Sequence, residues 1–98
     1  MITHSVYFYL SDEPDAREKL IEGLEKMRPI ESVASFRLAT PAATTERPVI
    51  DNAYGVAAHC DFATIADHDA YQIHPLHVEF IDTCKHLWSD VKIFDSEF

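Results

Sequence analysis

The densest run of side chains able to do chemistry is Tyr71-Gln72-Ile73-His74-Pro75-Leu76-His77. A histidine exchanges a proton near neutral pH. A tyrosine can donate a hydrogen bond to a developing oxyanion. Pro75 stands between the two, and a proline inside a helical pattern removes a hydrogen bond and bends the path. The bend predicts that Tyr71 and His77 turn into one space over a sheet. Two residues from the ends of the chain join them. His4 falls among the aliphatic side chains of an alternating segment, and Asp95 ends a row with Val91 and Ile93 that is expected on the same face. A carboxylate beside a histidine fixes its tautomer and raises its basicity. Asp95 is therefore expected to orient His77, the candidate general base, while Tyr71 or His4 holds an enolate oxygen. The expected apolar lining is Val6, Phe8, Leu20, Leu24, Ala58, Cys60, Phe80, Ile81 and Trp88. Ala58 and Cys60 are small for core positions and leave room for a cavity.

Other chemistries find little support. His68, His74 and His77 are close in sequence, but Pro75 spoils their helical placement and no zinc spacing occurs, so no metal site is predicted. The only glycines, Gly23 and Gly55, form no phosphate-binding loop, and no nucleophile motif is present, so no cofactor is expected.

These residues must be placed by regular elements. Residues 2–10 alternate, with Ile2, His4, Val6, Phe8 and Leu10 on one face and Thr3, Ser5, Tyr7 and Tyr9 on the other, which predicts a strand. Ser11-Asp12-Glu13-Pro14 reads as a helix start. The helix is expected to run to about Arg28, with Ala16, Leu20, Leu24 and Met27 on one face, before Pro29 stops it. Strands are predicted over 32–40 and 53–62, separated by a loop at 41–51. On the second of these, Tyr54, Val56, Ala58, Cys60 and Phe62 share a face opposite Gly55, Ala57, His59 and Asp61. Thr64-x-x-Asp67 resembles a capping box and opens a short helix. Pro75 interrupts it, a second segment runs to about Leu87, and residues 90–95 make a last strand. The order β-α-β-β-α(α)-β is ferredoxin-like: an α+β fold with a four-stranded antiparallel sheet and helices on one face.

Size and charge add partners and exclusions. A chain of 98 residues corresponds to one domain, expected over 1–98, and so small a domain gains stability from a second subunit. The sheet face bearing Tyr7, Tyr9, Ala57 and His59 suits a self-complementary homodimer interface. A net charge of −9 argues against binding nucleic acid or anionic membranes. The start shows no secretory signal, and no apolar run approaches membrane-spanning length. Cys60 and Cys84 lack metal or redox spacing and are expected as reduced, buried thiols of a cytoplasmic protein.

The segment Tyr71-x-x-His74-Pro75-x-His77, the closing Ile93-Phe94-Asp95, His4 in the first strand and the order of elements together resemble the stress-responsive α/β-barrel (Dabb) family. The resemblance spans nearly the whole chain. It implies a dimeric α/β barrel formed when two four-stranded sheets meet. Most of the family has no assigned activity, but one plant polyketide cyclase closes its substrate by an aldol condensation without a cofactor. By similarity, the pocket histidines and tyrosine of that cyclase fall on His4, Tyr71 and His77, and its carboxylate on Asp95. The lining differs, because Leu20, Ile21 and Leu24 stand where the cyclase brings aromatics.

Two functions therefore stand side by side. One is a cofactor-free cyclase- or isomerase-like enzyme acting on a small apolar carbonyl compound. The other is a non-catalytic, stress-related or ligand-binding dimer in which the same polar residues satisfy one another.

Overall fold

The computed structural model describes all 98 residues. The elements run β1 (Ile2–Leu10), α1 (Ala16–Glu25), β2 (Ser35–Ala39), β3 (Val56–Phe62), α2 (Ile65–Ile73), α3 (Pro75–Cys84), a single 3-10 turn (Lys85–Leu87) and β4 (Trp88–Glu97). The four strands form one antiparallel sheet in the order β2-β3-β1-β4. This is the ferredoxin-like arrangement that the pattern of elements predicts.

Alternation decides which face of β1 is covered. Ile2, His4, Val6 and Phe8 are buried, whereas Thr3, Ser5 and Tyr7 are half-exposed. The helices supply the cover through Ala16, Leu20, Leu24, Tyr71, Phe80 and Cys84, which are all buried. The row Ala16, Leu20, Leu24 and Met27 is the buried side of α1 and the turn after it, as its spacing requires. The helices α1 and α3 approach closely at Gly23. A Cβ there would sit 2.4 Å from the Cys84 sulfur, so only glycine fits without displacement. Cys60 and Cys84 are both buried and unpaired. No helix is long and apolar enough to cross a membrane.

Several local expectations are corrected. The first helix begins at Ala16, two residues beyond Pro14, and Asp15 ahead of it takes a left-handed conformation with φ 57°. Ser11 does not cap it. Its hydroxyl donates to the His86 carbonyl and ties the end of β1 to the turn before β4. The helix also ends at Glu25 rather than Arg28, because residues 26–29 continue as turns. The Thr64 cap does form, its side chain accepting from the Asp67 amide at 3.1 Å. Pro75 does interrupt the helical run, as expected, but not from within a helix. It is the first residue of α3, where the missing N–H costs nothing, and His74 before it is held extended, as a residue preceding proline prefers. The strands differ in extent: β2 and β3 are shorter than predicted, and β4 is longer, at Trp88–Glu97. Tyr54 lies outside β3, and its ring stands 4.9 Å from that of Tyr7, on the outward face of the sheet rather than with Val56 and Ala58.

Candidate functional site

Sheet register brings His4 and Asp95 together. They are direct partners across the β1–β4 ladder, and their side chains project to the same face. The His4 Nδ1 lies 2.6 Å from an Asp95 carboxylate oxygen. His4 is only 3% exposed, whereas the side chain of Asp95 is 51% exposed. The carboxylate therefore keeps its hydration while it orients a buried imidazole. An ionised carboxylate only accepts, so this contact puts the imidazole proton on Nδ1 and the lone pair on Nε2. The expected partnership of Asp95 with His77 is corrected here. Strand β4 lies beside β1, and the ladder delivers Asp95 to His4.

The helix junction supplies the other two groups. Tyr71 closes the last turn of α2, and His77 stands in the first turn of α3. Their rings meet edge to face with centroids 4.8 Å apart. His74 between them is occupied elsewhere, as its Nδ1 accepts from the Leu76 amide and caps α3. The rings of His4 and Tyr71 are 6.0 Å apart, with Phe62 packed against both. His4, Tyr71 and His77 thus share one space, which is a cavity of about 140 Å³ between the helices and the sheet.

The cavity is mostly apolar. Val6, Phe8, Leu24, Ala58, Phe80, Ile81 and Trp88 line it, as expected. Leu20 and Cys60 do not. Both are fully buried behind the wall, where α1 and β3 pack. Met27, Gln72, Val91 and Ile93 also line it and were not anticipated. The alternation of β4 was the available signal for the last two, since Val91 and Ile93 precede Asp95 on one face. His68 was missed as a neighbour of the site: its ring stands edge-on to His4 at 4.9 Å. Its place four residues into a helix opened by Thr64 gave no sign of that.

Burial sets the electrostatics. Desolvation, followed by the neighbouring His4 and His68, holds His77 below the usual histidine range, although the Gln72 carbonyl pulls the other way. His77 is thus neutral at neutral pH. Desolvation raises the Tyr71 hydroxyl well above its ordinary range, and nearby Cys60 adds to the effect, so Tyr71 stays a protonated donor. Its hydroxyl meets only weak sulfur partners, the Met27 sulfur at 3.8 Å and the Cys60 thiol. Burial pushes the Cys60 thiol up to about 12, which leaves it unreactive at neutral pH. The arrangement offers a carboxylate-oriented imidazole, a neutral imidazole and an under-used phenol donor around an apolar space. Such a set can move a proton next to a carbonyl and hold the resulting oxyanion.

Solved structures share this fold. A dimeric ferredoxin-like protein of unknown function from Thermobifida fusca aligns with a TM-score of 0.77 at 21% identity, covering 99% of this chain and 90% of that one. A Dabb family protein from Mesorhizobium loti aligns with a TM-score of 0.77 at 23% identity, covering 99% and 95%. A hydroxynitrile lyase from Passiflora edulis aligns with a TM-score of 0.78 at 13% identity, covering 97% and 90%. Identities this low speak for the fold alone. No curated protein matches the chain. The family model for the stress responsive A/B barrel domain (Dabb) matches residues 2–98, and with it the whole of the sheet and helices described above, so the chain belongs to the Dabb family.

Proposed function

We propose that this protein is a homodimeric, cofactor-free enzyme of the cyclase or isomerase kind, acting on a small carbonyl compound with an apolar body. The observation that carries this reading is the His4–Asp95 contact at the edge of an apolar cavity that also holds Tyr71 and His77. His4, rather than His77, is the general base. Its Nε2 takes a proton from the carbon beside the carbonyl, the C–H electron pair moves onto the carbonyl oxygen, and Asp95 stabilises the imidazolium. The Tyr71 hydroxyl and the neutral His77 hold the enolate oxygen. Return of the proton from His4, to carbon or to the oxygen of a second carbonyl that the enolate has attacked, closes the cycle. The space of about 140 Å³ is close to the ~150 Å³ of an apolar cavity that accommodates benzene. A ring-sized apolar group is therefore the fitting body for the substrate.

Deuterium exchange at the methyl group of acetophenone, followed by NMR, tests the reading. The wild-type protein should accelerate exchange above buffer, and His4→Ala should lose roughly 10²–10⁴-fold of that acceleration. Exchange at the buffer rate with the wild-type protein, despite saturable binding of the ketone, would favour the second reading, a ligand-binding dimer. That reading draws on Tyr71, whose deep burial serves packing as well as chemistry. Both readings use a homodimer formed through the outward sheet face. Phe94 is 59% exposed there, its ring 6.1 Å from that of Tyr7, which meets Tyr54 in turn. Neighbours of the same fold are described as dimeric. Sedimentation as a monomer at micromolar concentration would refute the dimer.

A further inference from the structure

A second polar feature adjoins the cavity without belonging to it. A surface basin of about 350 Å³ is lined by His68, Asp69, Asp95 and Glu97. One donor atom each from His4, His68 and Asp95 lies within 4.8 Å of the other two. We propose that these three residues form a binding site for a divalent transition-metal ion of the zinc class. Imidazole nitrogens with one carboxylate suit zinc, nickel or cobalt better than magnesium or calcium, which prefer oxygen alone. Three protein ligands leave a coordination position open to water.

The geometry needs only local closure. Zinc bonds of about 2.1 Å place tetrahedral ligands roughly 3.4 Å apart. His4 gives up its Nδ1 proton to solvent as the ion binds, and the His4–Asp95 pair, at 2.6 Å, opens slightly while His68 moves inward. Asp95 can adjust because its side chain is half-exposed on the edge strand β4. A supporting contact for His68 is already present: its Nδ1 lies 3.1 Å from an Asp69 carboxylate oxygen, which leaves Nε2 for the ion. The Gln72 amide, 3.4 Å from Nε2, must turn aside. Asp69 and Glu97 make the basin attractive to a cation, as does the chain's net charge of −9. The metal site does not depend on the carbonyl chemistry but draws on His4 and Asp95, both of which that chemistry uses, so a bound ion takes the place of the proton between them.

Titration calorimetry of zinc chloride into the metal-free full chain is the test, with cobalt(II) visible absorption as a report on coordination. One ion should bind per chain. His68→Ala should weaken it by more than roughly 10–100-fold, the usual cost of losing even an outer-sphere partner, and Asp95→Asn should do the same. His68→Gln, checked by circular dichroism, serves if the alanine variant misfolds. His86→Ala, at an exposed histidine outside the basin, should leave affinity unchanged. Absence of saturable binding at millimolar zinc overturns the site. So does equal affinity in a folded His68 variant, which would mark an ion held by other histidines.

Discussion

Strands β3 and β4 flank β1 on either side, yet they live in different surroundings. In β3, Val56, Ala58, Cys60 and Phe62 are at most 3% exposed. In β4, every residue after Trp88 is exposed, including Val91 and Ile93 on the helix-facing side. The helices leave the inward side chains of β1 and β3 buried, pack mainly on β3, and leave β4 largely exposed. The candidate site sits on that boundary. His4 is roofed by α2 and the Phe62–Tyr71 pair, while its partner Asp95 reaches into water. A buried imidazole held by a hydrated carboxylate needs such a margin, because a fully covered carboxylate carries a heavy desolvation cost.

The sharpest way to break this comparison is to truncate one residue in each strand. Phe62→Ala should cost about 3–5 kcal/mol in urea unfolding, because the vacated space has no route to solvent. Ile93→Ala should cost less than about 1 kcal/mol, since half of its surface is already wet. Similar losses at both positions would mean that β4 is covered in solution.

The covered half should also resist added volume. Gly23→Ala places a methyl group against the Cys84 sulfur and should destabilise by about 1–3 kcal/mol. Cys84→Ala in the same chain should remove most of that penalty, and a double-mutant cycle measures the coupling.

The boundary itself should respond to acid. His77 binds its proton less readily folded than unfolded, so the unfolded chain takes up more protons as pH falls. Its contribution is neutral above the ordinary histidine range near ~6.5 and becomes increasingly destabilising as pH drops from there toward the lower folded value. Thermal melts between neutral pH and pH 5 should therefore show a steeper loss in wild type than in His77→Gln.

The smallest effect on folding is expected at the outward face. Phe94→Ala should change subunit stability by no more than about 0.5 kcal/mol, yet weaken self-association in sedimentation equilibrium. Unchanged association would move the dimer interface away from Phe94.

The legible parts of the molecule are those governed by near neighbours in sequence. The alternation of β1, the apolar stripe of α1 and the Thr64–Asp67 cap each depend on residues a few positions apart, and each forms as expected. Pro75 was legible as a break but not as a beginning, because proline suits a first helical turn as well as it disrupts a middle one. Leu20 and Cys60 were correctly assigned to the covered face. Which covered residues touch a cavity, rather than one another, depends on how α1 settles on β3.

The pairing at the site marks the limit most clearly. From the sequence alone came the element order, the face of each strand and the convergence of Tyr71 and His77 around Pro75. The tertiary structure alone decided that Asp95 serves His4 and that His68 joins them. Residues 4 and 95 are 91 positions apart and meet only through the register of β1 against β4. Periodicity reports which way a side chain points from its own strand. It carries no information about which strand lies alongside, because that choice is made by burial across the whole sheet.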